Sequence, residues 1–78
     1  MAVTLYGRPG CHLCDEARDA LERVRSETPF ELLEVDIERD DELFKRYLER
    51  IPVVAVDGQE LFDYHVDEAA LRRRLALS

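Results

Sequence analysis

The chain has 78 residues, a formal net charge of −7, 46% apolar residues and 37% charged residues. That length holds one small domain with a thin core, and that composition is globular rather than disordered. The diffuse acidic balance argues against nucleic acid, which requires clustered Lys and Arg, and against anionic membranes; no apolar run approaches the roughly 20 residues that span a bilayer.

In chain order, residues 2–6 (Ala-Val-Thr-Leu-Tyr) form a β-prone run ended by Gly7 and Pro9. Over residues 11–25, Leu13, Ala17, Leu21 and Val24 recur at helical spacing. Pro29 breaks the chain, and residues 30–36 read as a second strand buried through Phe30, Leu32, Leu33 and Val35. Residues 40–49 read as a short helix with Leu43, Phe44, Tyr47 and Leu48 inward and Asp41/Lys45 and Glu42/Arg46 at i,i+4 on its outer face. Pro52 ends it by disfavouring helix at Ile51.

Val53 to Val56 is an apolar strand, Asp57-Gly58 a two-residue turn of the I′ kind, and residues 59–62 return antiparallel. The last helix starts at Asp67 as N-cap, with Val66 and Leu71 placed as a hydrophobic staple and Leu71 and Leu75 on one face. The run Arg72-Arg73-Arg74 falls near its end, where it complements the helix dipole. The order is β-α-β-α-β-β-α. The first β-α-β unit predicts parallel strands with a right-handed crossover. The hairpin adds antiparallel strands. The fold class is therefore α/β, a mixed four-stranded sheet with helices on both faces, forming one domain over residues 1–78. Phe30, Phe44 and Phe62 read as core. Asp36, Glu38, Asp40, Asp41 and Glu42 read as a solvated acidic surface rather than a metal cluster.

The chemistry sits in Tyr6-Gly7-Arg8-Pro9-Gly10-Cys11-His12-Leu13-Cys14-Asp15-Glu16. A strand enters, a Gly/Pro loop turns the chain, and C-x-x-C opens a helix. Cys11 falls at the first helical turn, where unpaired N–H groups and the positive dipole end favour thiolate. Such placement lowers a cysteine pKa from about 8.5 to roughly 3.5–7.5, and the thiolate is the attacking species in disulfide exchange. Cys14 follows one turn on, on the same face. A Cys11–Cys14 loop would stabilise the fold by only about 2 kcal/mol, against nearly 5 for a loop of 100 residues. Arg8 and a protonated His12 favour the thiolate; Asp15 and Glu16 oppose it. The N-terminus has no signal-peptide pattern, so a cytoplasmic location is expected, where paired cysteines are catalytic or metal-binding rather than structural. C-x-x-C alone also reads as half a zinc site.

With these motifs the chain resembles the glutaredoxin branch of the thioredoxin superfamily, and in particular small bacterial glutaredoxin-like proteins. The resemblance rests on Val3-Thr4-Leu5-Tyr6 before the two cysteines, on Val35-Asp36-Ile37 and on Ile51-Pro52-Val53-Val54. It implies a thiol–disulfide oxidoreductase with Cys11 as nucleophile and Cys14 as resolving thiol. It also implies Pro52 as a cis-proline facing the dithiol, with the backbone of Ile51 offered to an extended substrate. Where glutaredoxins carry Pro and Tyr between the cysteines, this chain has His12 and Leu13. Where they carry a Gly-Gly pair before the last helix, it has Tyr64-His65, with Asp67 matching the Asp that follows. The candidate substrate-binding residues are thus Arg8, His12, Ile51, Pro52, Tyr64, His65 and Asp67, with no metal ligand among them.

The resemblance implies no bound cofactor, glutathione or another low-molecular-weight thiol as co-substrate, a disulfide-containing protein or small molecule as substrate, a reductase as a further candidate partner, and a monomer. Two other readings stay open: a zinc or iron–sulfur module completed by a second chain, and a non-catalytic adaptor that holds peptides beside Pro52.

Overall fold

Strand β1 (Ala2–Gly7) sends alternate side chains to opposite sides, and both sides are covered: Val3 and Leu5 enter one apolar cluster, Tyr6 another. The computed structural model describes residues 1–77; Ser78, the last residue of the predicted domain, lies outside the described residues. The remaining elements are α1 (His12–Glu27), β2 (Glu31–Asp36), a 3₁₀ turn (Ile37–Arg39), α2 (Asp41–Tyr47), β3 (Val53–Val56), β4 (Gln59–Asp63) and α3 (Glu68–Ala76).

β1 pairs in parallel with β2 and antiparallel with β3, and β3 pairs antiparallel with β4, giving a four-stranded sheet of order β2-β1-β3-β4. On one face α1 and α3 bury Ala17, Leu21, Val24, Leu71 and Leu75 against Val3, Leu5, Val54 and Val56. Each fully buried Leu or Val side chain contributes about 1.5–3 kcal/mol, so this layer dominates stability. On the other face Ile37 and Tyr47, from the 3₁₀ turn and α2, pack on Val53. The fold is the predicted α/β sheet with helices on both faces.

Local signals explain the boundaries. Asp40 Oδ1 accepts from the N–H groups of Glu42 and Leu43 at 2.9 and 3.2 Å and starts α2. Asp67 Oδ1 accepts from Ala70 N–H at 3.0 Å and starts α3, with Val66 and Leu71 in one cluster as expected of a staple. Asp57 and Gly58 have φ of 48° and 86°, the two positive values that a I′ turn requires.

Three expectations need correcting. Leu33 is not buried: it is 44% exposed, because β2 is an edge strand and Leu33 alternates away from the face that takes Leu32. The 3₁₀ turn was not expected; fully buried Ile37 anchors it, and Asp36 Oδ1 caps it by accepting from Glu38 N–H at 2.9 Å. Asp36 and Asp40 are therefore helix caps rather than merely solvated carboxylates. Finally, α2 closes at Tyr47, two residues short of the expected end, and Arg46 lies 5.8 Å from the Tyr47 ring centroid. Among the described residues no helix is long and apolar enough to cross a membrane.

Candidate active site

The carboxyl end of β1 delivers the dithiol. After Gly7 the loop Arg8-Pro9-Gly10 turns through a left-handed Gly10 (φ 77°), a conformation that glycine adopts without the Cβ penalty. Cys11 then occupies the N-cap of α1 with extended backbone (φ −90°, ψ 112°). Its Sγ accepts from the Cys14 N–H at 3.2 Å, the role an Asp or Ser oxygen plays at an ordinary N-cap. The Cys11 carbonyl accepts the first helical bond, from Asp15 N–H at 3.2 Å. One sulfur thus sits where the helix presents partial positive charge.

Cys11 and Cys14 are joined as a disulfide, with Cα atoms 5.2 Å apart. Their exposures differ: Cys11 is partly open to solvent, while Cys14 is only 3% exposed. Cys14 Sγ lies against Gly7, so closely that a Cβ on residue 7 would stand 2.8 Å from it. Gly7, Arg8, Pro9, Cys14, Asp15 and Arg18 contribute to the wall of a cavity of about 290 Å³ on this side of the dithiol.

A second loop reaches the same end of the sheet. The Ile51–Pro52 peptide is cis. Antiparallel pairing of Tyr6 with Val53 sets Pro52, one residue earlier, beside Gly7, one residue later. Pro52 is fully buried, and Ile51 packs at the edge of the Tyr47–Val53 cluster. The Pro52 carbonyl accepts from Tyr64 N–H at 2.8 Å, and the Tyr64 hydroxyl donates to the Glu49 carbonyl. Tyr64 holds φ at 67°, an uncommon conformation for a bulky residue that costs about 1–2 kcal/mol; its two hydrogen bonds brace the loop that carries Ile51 and Pro52.

The loop is clamped from below. Arg50 contacts Asp63 through Nε at 3.0 Å and Nη2 at 2.9 Å, and Glu60 through Nη2 at 2.6 Å. The Tyr47 hydroxyl donates to Glu60 at 2.9 Å, and Arg50 stands 5.5 Å from the Tyr47 ring. Hydrogen bonds from Arg50, then from Tyr47, hold Glu60 below the ordinary carboxylate range. Burial, then the bond to Glu60, raises the Tyr47 phenol above its usual value. Sequence reasoning missed this clamp, because nothing in local spacing pairs Arg50 with residues 10 and 13 positions on.

The other predicted residues are scattered around these loops. Arg8 stands 3.9 Å from Glu38. His12 is exposed on α1, with Nε2 3.9 Å from Glu16. His65 donates its backbone N–H to Asp63 at 2.7 Å and borders a groove of about 270 Å³ between α1 and the start of α3. Across that groove Arg23 bonds Glu68 at 2.9 Å and lowers the Glu68 carboxyl. Asp67 uses its carboxylate to cap α3. Among the described residues no group of three or more His, Cys, Asp and Glu is placed to hold a metal ion.

The family model described as Glutaredoxin-like domain (DUF836) matches residues 2–76. An uncharacterized protein of Mycobacterium tuberculosis is 32% identical over 81 residues, covering 97% of this chain and 84% of its own. The X-ray structure of a structural-genomics target from X. campestris superposes with a TM-score of 0.80 at 38% identity, covering 97% of each chain. A thioredoxin from Halobacterium salinarum superposes with a TM-score of 0.65 at 20% identity, covering 97% of this chain and 72% of its own, a likeness of fold alone.

Proposed function

This chain belongs to the glutaredoxin-like domain family, and from that membership we propose that it is a thiol–disulfide oxidoreductase with Cys11 as nucleophile and Cys14 as resolving thiol. One observation carries the reading: Cys11 is partly exposed at a helix N-cap, with its sulfur accepting an amide N–H, while Cys14 is buried one turn behind it.

Starting from the reduced protein, the Cys11 thiolate attacks one sulfur of a substrate disulfide. A Cys11–substrate bond forms, and the other substrate sulfur leaves as a thiolate that takes up a proton. Cys14 then loses its proton and attacks Cys11 Sγ, releasing the second substrate thiol. Two electrons pass to the substrate, and the Cys11–Cys14 disulfide remains. Two low-molecular-weight thiols, glutathione or another, or a reductase, return the electrons, and no bound cofactor takes part. The substrate is a disulfide-bearing small molecule or protein segment laid beside Pro52, with the Ile51 backbone pairing to it and Tyr64 and His65 flanking it. The protein works as a monomer in the cytoplasm.

The test is alkylation of the reduced protein with iodoacetamide across pH, with each site mapped by mass spectrometry. Cys11 is expected to react well below the pH at which free cysteine does, with Cys14 protected. A Cys11 that reacts no faster than free cysteine at pH 7 removes the basis of the reading.

A further inference from the structure

We infer that Gly7 is a positioning residue for the dithiol, and that the missing side chain at this position is what lets the disulfide close; the inference rests on the oxidoreductase reading above. A Cβ built on Gly7 would stand 2.8 Å from Cys14 Sγ and 3.2 Å from Cys14 Cβ, well inside the roughly 3.5–4.0 Å of optimal heavy-atom contact. Both backbones are held by their neighbours. Gly7 is registered against Asp36 in β2 and flanked by the Pro52 loop on its other side. Cys14 belongs to the face of α1 that buries Ala17, Leu21 and Val24 against the sheet. The 3.2 Å approach to Cys14 Cβ is common to both redox states, because the backbone fixes that atom; only Sγ can give way, by turning about χ1.

The two redox states respond differently. In the disulfide, Cys14 Sγ is bonded to Cys11 and cannot turn away from residue 7. In the dithiol it is free to move to another staggered rotamer. A methyl group at position 7 therefore penalises the oxidised state more than the reduced state, and the disulfide becomes easier to reduce. Gly58 provides the contrast: it has φ of 86° and open space around its Cβ direction, so a side chain there strains both redox states alike.

The experiment equilibrates the folded protein with dithiothreitol and its cyclic disulfide. Protein disulfide plus dithiothreitol gives protein dithiol plus cyclic disulfide, with two electrons and two protons transferred. Gly7→Ala is expected to shift this equilibrium at least tenfold toward the dithiol, about 30 mV for a two-electron couple, while Gly58→Ala leaves it at the wild-type value. An unchanged equilibrium in Gly7→Ala, or a shift toward the disulfide, overturns the inference and leaves the proposed function standing. A wild-type disulfide that dithiothreitol cannot reduce in the folded protein overturns the proposed function itself. Should Gly7→Ala not fold, the same substitution is made in Cys14→Ala, which removes the sulfur. The double variant keeps the 3.2 Å approach to the Cβ of residue 14 but loses the 2.8 Å approach to sulfur, so it is then expected to fold; a double variant that also fails to fold overturns the sulfur contact as the cause.

Discussion

Tyr64 donates its backbone N–H to the Pro52 carbonyl at 2.8 Å while its own φ stays at 67°. A side chain in left-handed backbone is thus tied to the loop that borders the dithiol. Tyr64→Ala and Tyr64→Gly both delete the hydroxyl bond to the Glu49 carbonyl, but only glycine takes this φ freely. Tyr64→Gly should therefore be more stable than Tyr64→Ala by about 1 kcal/mol, measured by chemical denaturation. An alanine variant equal to or more stable than glycine would contradict the assignment of strain to this residue.

The two cysteines should separate cleanly in a trapping assay. Reduced Cys14→Ser, offered a small aromatic disulfide, is expected to stop at a stable mixed disulfide on Cys11. Reduced Cys11→Ser is expected to form adducts at least tenfold more slowly, because the remaining sulfur is buried. Intact-mass spectra distinguish the outcomes, and equal labelling of the two variants would exchange or erase the proposed roles.

Arg50, in the loop after α2, ties that loop to β4 through Glu60 and Asp63. Glu60 has its folded pKa lowered by Arg50, so its contribution to stability is complete above the unfolded carboxylate value of about 4.3. That contribution is lost as pH falls below this value and through the lowered folded pKa. Melting temperatures from pH 6 to pH 2.5 should fall more steeply for wild type than for Arg50→Gln, the two curves converging at the acid end. Parallel curves would show that the clamp does not couple to Glu60 ionisation.

Asp67 acts as a helix cap. Asp67→Ala is expected to cost about 1 kcal/mol, a drop of about 4–8 °C for a domain of this size. Asp67→Asn, which keeps the accepting oxygen, should retain most of the wild-type melting temperature. Equal losses in the two variants would mean that something other than the cap bond holds the start of α3.

How much of this was legible in the residues depends on the range of the interaction. The four valine and alanine positions of β3 announce a strand covered on both faces, and Val3, Leu5 and Tyr6 alternate as a strand must. The cap at Asp67, the Asp57-Gly58 turn and the N-terminal placement of Cys11 are short-range effects with their signals inside a few residues. Leu33 misled, because whether a strand lies at the centre or the edge of a sheet is a property of the assembled sheet. Ile37 hid a 3₁₀ turn, since three residues are too few to show a period. The approach of Gly7 to Cys14 depends on how α1 crosses β1, and the Arg50 clamp on the path from α2 into β4; neither leaves a local pattern.

The ties between α1 and α3 bear on how the chain is made. Arg23 bonds Glu68 and Arg72 bonds Glu27, each across 45 positions, and Leu71 and Leu75 lie in the same cluster as Leu21. Synthesis runs from the amino end, so α1 is made before α3, and the face of α1 that takes Leu71 and Leu75 stays uncovered until α3 has been made.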